Sequence, residues 1–275
     1  MIAASGGPVA GSLVRLDVDK EAAVDPLLTA CEAHTAGLES LARLSGEVVR
    51  AGSAVGVFTG LPFPPFNGIH IWRGEGDART DIASLVAVGE KDGLAMTICA
   101  PVGAPQEASV ERAAIELGFA VLGGPAPAMI LTDLDVPPLP DGVTSVRAMT
   151  AADLAAPTRF SVEVFGMPRE VAEAATDAST LTWDDLEWFT LWAGGEPVAT
   201  AMLFLADDTA NIFNVAVPAA HRRKGFGAAA TWEAVRCGRE RGAVRSTLVA
   251  SVMGAPVYTR MGFETAGHVR TFVRV

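Results

Sequence analysis

Between residues 186 and 217 the apolar positions fall into three runs, 186–193, 197–205 and 209–217, cut by Gly194-Gly195-Glu196 and Ala206-Asp207-Asp208. Short polar turns between apolar runs predict an antiparallel meander of strands. The next segment, 227–241, places Ala228, Thr231, Trp232 and Val235 on one face and Glu233, Arg236 and Glu240 elsewhere, which predicts an amphipathic helix stopped by Gly242. Upstream, 143–147 reads as a strand, Thr150 as the cap of a helix beginning at 151–154, and 168–178 as a second helix. Downstream come a strand at 246–249, a helical turn over 256–261 and a final strand pair over 263–275. The first half carries a fainter version of this order. Glu116-Leu117-Gly118-Phe119 followed by an apolar run at 128–131 parallels Arg260-Met261-Gly262-Phe263 and its following strand.

This pattern, over 275 residues, predicts an α/β (α+β) fold: a mixed, largely antiparallel sheet flanked by helices, present twice in tandem. The boundary is placed in 132–142, where three prolines favour an extended connection, giving domains 1–140 and 141–275. Half of the residues are hydrophobic and 19% charged, so a sizeable core is available. The formal charge of −11 argues against nucleic acid and anionic membrane as partners and suits a cationic one. The longest uncharged stretch, 51–72, holds three prolines and four glycines, which excludes a spanning helix. Met1-Ile2-Ala3-Ala4-Ser5 lacks the basic start of a secretory signal, and Cys31, Cys99 and Cys237 are odd in number and lack metal-ligand spacing. A cytoplasmic protein without a metal is expected, and the sequence leaves a homo-oligomer open.

The chemistry concentrates at 211–228, a strand, a basic loop and a helix start. Gly225 and Gly227 let backbone approach a ligand, and the first N–H groups of the following helix have no helical partner. Arg222, Arg223 and Lys224 add charge where the helix dipole is already positive, so a pyrophosphate suits the loop. A solvated basic turn is the plain alternative. The run Gly225-Phe226-Gly227-Ala228-Ala229-Ala230 also meets the loose dinucleotide pattern G-x-G-x-x-A. Seven residues separate Val217 from Gly225, however, and no acidic residue stands at the position a ribose needs.

Arg222, Gly225 and Gly227 meet the R/Q-x-x-G-x-G/A motif, and 143–275 resembles the GNAT acetyltransferase superfamily. The resemblance implies acetyl-CoA as acyl donor. Strand 211–217 would splay from strand 246–249, with the pantetheine arm between them on backbone groups of Val215 and Val217. The pyrophosphate would lie on Arg222, Arg223, Lys224, Gly225, Phe226, Gly227 and Ala228. The segment 254–263 resembles the superfamily's tyrosine-bearing element, and Tyr258 is the only tyrosine in the chain. By resemblance it is the general acid for the departing thiolate. The implied activity is direct acetyl transfer to an amine of a small molecule or peptide. A catalytically silent acyl-CoA sensor or scaffold is the alternative.

Many relatives carry a glutamate on the strand before the loop, whereas this strand offers Asn211 and Asn214. Glu187, His268 and the carboxylate of Val275 are candidate bases, and the sequence assigns none of them. His221 and Cys237 read as an exposed loop residue and a helix residue without a role. In the first half, Arg73-Gly74-Glu75-Gly76-Asp77 lacks the basic cluster and Ala114 stands where the other half has Tyr258. That half is expected neither to bind coenzyme A nor to catalyse, but to wall the acceptor pocket, with Pro62, Phe63, Pro64, Pro65 and Phe66 as an apolar rim.

Overall fold

The computed structural model describes residues 25–74 and 77–275; the readings of Met1–Ser5 and of Glu75 lie outside them. The first half comprises α1 (Pro26–Ala42), β1 (Glu47–Ala51), β2 (Ala54–Phe58), β3 (Asn67–His70), α2 (Arg79–Lys91), β4 (Met96–Pro101), α3 (Glu107–Glu116), β5 (Ala120–Val121) and β6 (Ala126–Leu131). The second comprises β7 (Val143–Arg147), α4 (Ala155–Phe165), α5 (Arg169–Ala175), β8 (Leu186–Ala193), β9 (Glu196–Ala206), β10 (Thr209–Ala216), α6 (Phe226–Glu240), β11 (Arg245–Val249), α7 (Ala255–Arg260) and β12 (Glu264–Arg274).

All the strands join one mixed sheet in the order β1-β2-β3-β4-β12-β6-β11-β10-β9-β8-β7, with β5 also on β12. Most pairs are antiparallel; β3–β4 and β10–β11 are parallel, each bridged by a helix, α2 and α6. The predicted meander is β8 to β10, with turns where Gly194 and Asp207 adopt positive φ, and β7 pairs antiparallel on its outer side. Thr150 caps as expected: its backbone N–H donates to Asp153 Oδ2 at 2.8 Å, and the two residues close a capping box. A 3-10 turn over 151–154 precedes the α-helix.

Three local expectations change. The final strand pair over 263–275 is one strand, because Gly267 sits at a bulge, not a turn. A Cβ there would meet Leu27 Cδ2 at 2.6 Å, so α1 presses on β12 at that point. The buried face of α6 is rotated from the one read in the sequence: Ala230, Thr231, Ala234, Val235 and Gly238 pack on the sheet, while Ala228 and Trp232 are half-buried. Gly238 sets this rotation, since a Cβ on it would come within 2.4 Å of Ala210 Cβ. Third, the connection over 132–142 is not wholly exposed. Leu134 is buried in the core, and Arg239 and Arg236 on α6 donate to the carbonyls of Leu134 and Pro137.

Strand pairing crosses residue 140 twice. β6, from the first half, lies between β11 and β12; β12, from the second, lies between β6 and β4. Side chains follow their strands. Met129 and Leu131 of β6 are buried in the core under α6, and Phe272 of β12 is buried with Ile98, Val110 and Phe119 under α2 and α3. Each half completes the other's hydrophobic core.

Candidate functional site

β10 and β11 pair only over Thr209–Asn211 and Arg245–Thr247. Beyond that point β11 stays with β6 through Val249, while β10 remains with β9 and bulges between Phe213 and Ala216. Asn214 within the bulge takes a φ of +50°, a conformation Asn tolerates better than most residues, and its amide donates to Ser161 Oγ on α4 at 3.0 Å. The parting of the two strands opens a cavity of about 1150 Å³.

One end of this cavity is the basic loop. Gly225, in left-handed conformation at φ +83°, turns the chain into α6 and provides no side-chain cap. The first backbone bond of the helix is from Ala229 N–H to Gly225 O, so the N–H groups of Phe226, Gly227 and Ala228 remain for a ligand. Arg222, Arg223 and His221 line the cavity too, and among the described residues no carboxylate does. In an acidic protein this is a locally basic helix start, a candidate anion site on which the helix dipole adds to the side-chain charge.

Tyr258, on α7, lines the same cavity, as do Val257, Met261, Trp232, Val215 and Val217. The ring of Tyr258 meets Phe263 edge-on at 5.9 Å. Burial pushes its phenol up to about 12, partly opposed by a hydrogen bond with Thr231. The hydroxyl therefore stays protonated across the neutral range and can donate.

The structure brings Val215, Val217, Arg222, Arg223, Gly225, Phe226, Gly227, Ala228 and Tyr258 to one cavity. Lys224 is not on its wall; its ammonium donates to Ala220 O at 3.2 Å. The Val217 carbonyl accepts from Arg222 Nε at 3.1 Å, so that backbone oxygen already has a partner. His221, read as a loop residue without a role, lines the cavity. Phe165, at the end of α4, also lines it, and nothing in its local sequence signals this. Arg260 was missed for another reason: it is basic and two residues from Tyr258, but reads as part of a helical turn.

The candidate bases lie elsewhere. Glu187 is 7% exposed and held by Arg147 and by Arg241 at the far end of α6. His268 is on neither wall of the catalytic region, and Val275 is 97% exposed. Cys237 is buried on α6 near Glu187, which contributes to an upward shift of its thiol caused first by burial.

A second, apolar cavity of about 330 Å³ adjoins the first. The two share Phe165 and meet across the Asn214–Val215 peptide, because Asn214 lines one and Val215 the other. Leu38 and Leu41 of α1, with Phe63, Pro65 and Phe66, bring the first half to its wall.

Residues 156–263 match the family model described as the acetyltransferase (GNAT) family. No curated protein matches the chain in sequence. Among solved structures, a GCN5-related N-acetyltransferase from Kribbella flavida superposes with a TM-score of 0.69 at 22% identity, covering 89% of this chain and 95% of that one. A GCN5-related N-acetyltransferase from Sphaerobacter thermophilus gives 0.55 at 19% identity, over 91% and 90%. A tandem GNAT protein from the clavulanic acid biosynthesis pathway gives 0.54 at 15%, over 90% and 93%. At these identities the structures establish the shared fold across both halves. Residues 156–263 thus match the acetyltransferase (GNAT) family, and the chain as a whole has the fold of these tandem GNAT structures.

Proposed function

We propose that the chain transfers an acetyl group from acetyl-CoA directly to an amine of a small molecule or peptide. The observation that carries this reading is the cavity between the parted strands, lined both by an uncapped, basic helix start and by a protonated, half-buried phenol. The dimensions and chemistry suit the donor: N–H groups and arginines for the pyrophosphate, an apolar channel past Val215 and Val217 for the pantetheine arm, and Tyr258 beyond it. The donor supplies an activated thioester. Tyr258 gives its proton to the departing thiolate, and the amine's proton leaves through solvent, since among the described residues no carboxylate lines either cavity. A cytoplasmic setting accords with three buried free cysteines.

The same lack of a carboxylate favours a second reading, a catalytically silent acyl-CoA sensor. Titration calorimetry of acetyl-CoA into wild type and Gly227→Trp tests the donor site. A Cβ on Gly227 has only Val217 Cγ2 nearby, at 3.4 Å, so the indole enters the groove and not the core. Binding by the wild type that drops about 100-fold or more in the variant supports the reading; a wild type that does not bind acetyl-CoA ends it. Thiol release with an amine present then separates enzyme from sensor.

A further inference from the structure

The acceptor's chemical class follows from the second cavity, an inference that rests on the donor reading above. We propose that the acceptor is an uncharged, weakly basic aromatic amine, bound in the 330 Å³ cavity with its nitrogen toward the Asn214 bulge.

The walls are Leu38 and Leu41 from α1, Phe63 and Phe66 from the first half, Trp188, Met202 and Phe213 from the sheet, and Phe165 and Met167 around the end of α4. Rings and a thioether surround the space from several sides, which suits a flat, polarisable guest. Its volume lies at the lower end of the roughly 300–1,000 Å³ usual for small-molecule sites, so the guest is small. The polar groups on the wall are Ser161 and Asn214, bonded to each other, and Trp188, whose Nε1 is buried without a partner.

Among the described residues, no Asp or Glu lines this cavity. An alkylammonium would have to leave water for a wall that offers it no counter-charge, which strongly disfavours its entry. An arylamine is already neutral at pH 7 and loses little on entry. Its nitrogen also needs no base to deprotonate it before attack, which removes the need for the general base that neither wall supplies. The reaction balances: the nitrogen lone pair forms the C–N bond at the thioester carbonyl, the C–S bond breaks, Tyr258 protonates the thiolate, and the nitrogen releases one proton that restores the phenol through solvent.

The first-half wall is rigid enough to select. Asn67, fully buried, accepts from Thr59 N–H at 3.0 Å and donates to the carbonyls of Leu61 and Ala95 at 2.8 and 3.1 Å. These bonds tie down both ends of the loop that carries Phe63 and Phe66.

The test uses the full chain with acetyl-CoA, comparing 2-aminonaphthalene with spermidine by thiol release, while calorimetry on the same samples reads acetyl-CoA and amine binding. The expected kcat/KM for the arylamine exceeds that for spermidine by about 100-fold or more. Asn214→Asp is the informative variant. Aspartate tolerates the bulge's positive φ and can accept from Ser161, so the fold is retained, which thermal melting checks, while the wall gains a charge. The expected preference for the arylamine falls by about tenfold or more, with spermidine turnover rising. Acetyl-CoA that binds to a wild type preferring spermidine, or neither binding nor acetylating the arylamine, overturns the acceptor class and leaves the donor reading standing. A preference unchanged by a folded Asn214→Asp overturns it as well. Absent acetyl-CoA binding overturns the donor reading and this inference together.

Discussion

The two halves use the same path, a strand, a helix, a parallel strand and a further helix, and end it in opposite ways. In the second half the start of α6 has no side-chain cap and basic residues around it. In the first half the start of α2 is occupied: Asp77 Oδ1 accepts from Arg79 N–H at 3.0 Å and from Ser109 Oγ at 3.2 Å, and Ser109 in turn accepts from Ala78 N–H. Where the second half leaves its first helix N–H groups without a side-chain acceptor, the first half gives that of Arg79 to an aspartate and that of Ala78 to a serine. The strands differ too. β3 and β4 stay paired to the end of β3, with Ile71 N–H still bonded to Cys99 O, so no wedge opens between them. The hollow between α2 and α3 is polar, lined by Asp77 and Glu116 and crossed by the Arg79–Glu116 ion pair. A carboxylate at a helix start and another beside it would repel a pyrophosphate.

The comparison is sound because the halves share a detailed turn. Phe119 N–H donates to Ala114 O, and Phe263 N–H to Tyr258 O, at 2.9 and 3.0 Å. Gly118 and Gly262 take φ of +82° and +96° in these turns, and both phenylalanines are buried. Ala114 therefore holds the place of Tyr258. The first half has the framework without the basic loop or the tyrosine, and it completes the sheet and walls the 330 Å³ cavity.

The largest effect is expected from separating the halves. Residues 141–275 alone lose both neighbours of β12 and expose Val269 and Phe272, so no folded monomer is expected by circular dichroism. Co-expression with 1–140 should restore one. A soluble, cooperatively melting 141–275 would show that the strand exchange is dispensable. Next comes Tyr258→Phe, which keeps the packing on Phe263 and removes the proton donor; kcat is expected to fall about 100-fold, with acetyl-CoA affinity within about twofold of wild type.

A third effect concerns acid. His70 is 1% exposed, stacked on Trp72 at 5.2 Å, with Thr35 Oγ1 at 3.0 Å from its Nδ1. Burial, with a smaller contribution from His34, pushes its pKa down to about 3. The unfolded chain binds this proton near pH 6.5 and the folded one does not, so stability present above 6.5 is lost as pH falls toward 3. The loss has a slope of up to about 1.4 kcal/mol per pH unit. Urea melts between pH 7 and 4 read it, and His70→Gln should flatten the slope. Smallest is Asp77→Ala, which uncaps α2 at a cost of about 1 kcal/mol in the same melts. It should confer no coenzyme A binding on the first half, because β3 and β4 remain closed.

Much of the candidate site at the start of α6 was legible in the sequence because it is local. Positive φ at Gly225, an uncapped helix start and adjacent arginines all belong to a stretch of seven residues, 222–228, and Tyr258 stood out as the single tyrosine. Phe165, Trp232 and the rotation of α6 were not legible, since they depend on which side of a helix meets the sheet, and Gly238 against Ala210 settles that. The apolar cavity was anticipated only as a rim at 62–66; its other walls come from α1, α4, α5 and three strands, β8, β9 and β10, distant in the chain.

By itself, then, the sequence determined most elements of the second half, its meander and the basic loop, since period, turn residues and capping act over a few positions. Tertiary structure alone decided that β6 and β12 change places between the halves. Strand partners are chosen by which hydrophobic faces can be covered together, and Met129, Leu131 and Phe272 find that cover only in the opposite half.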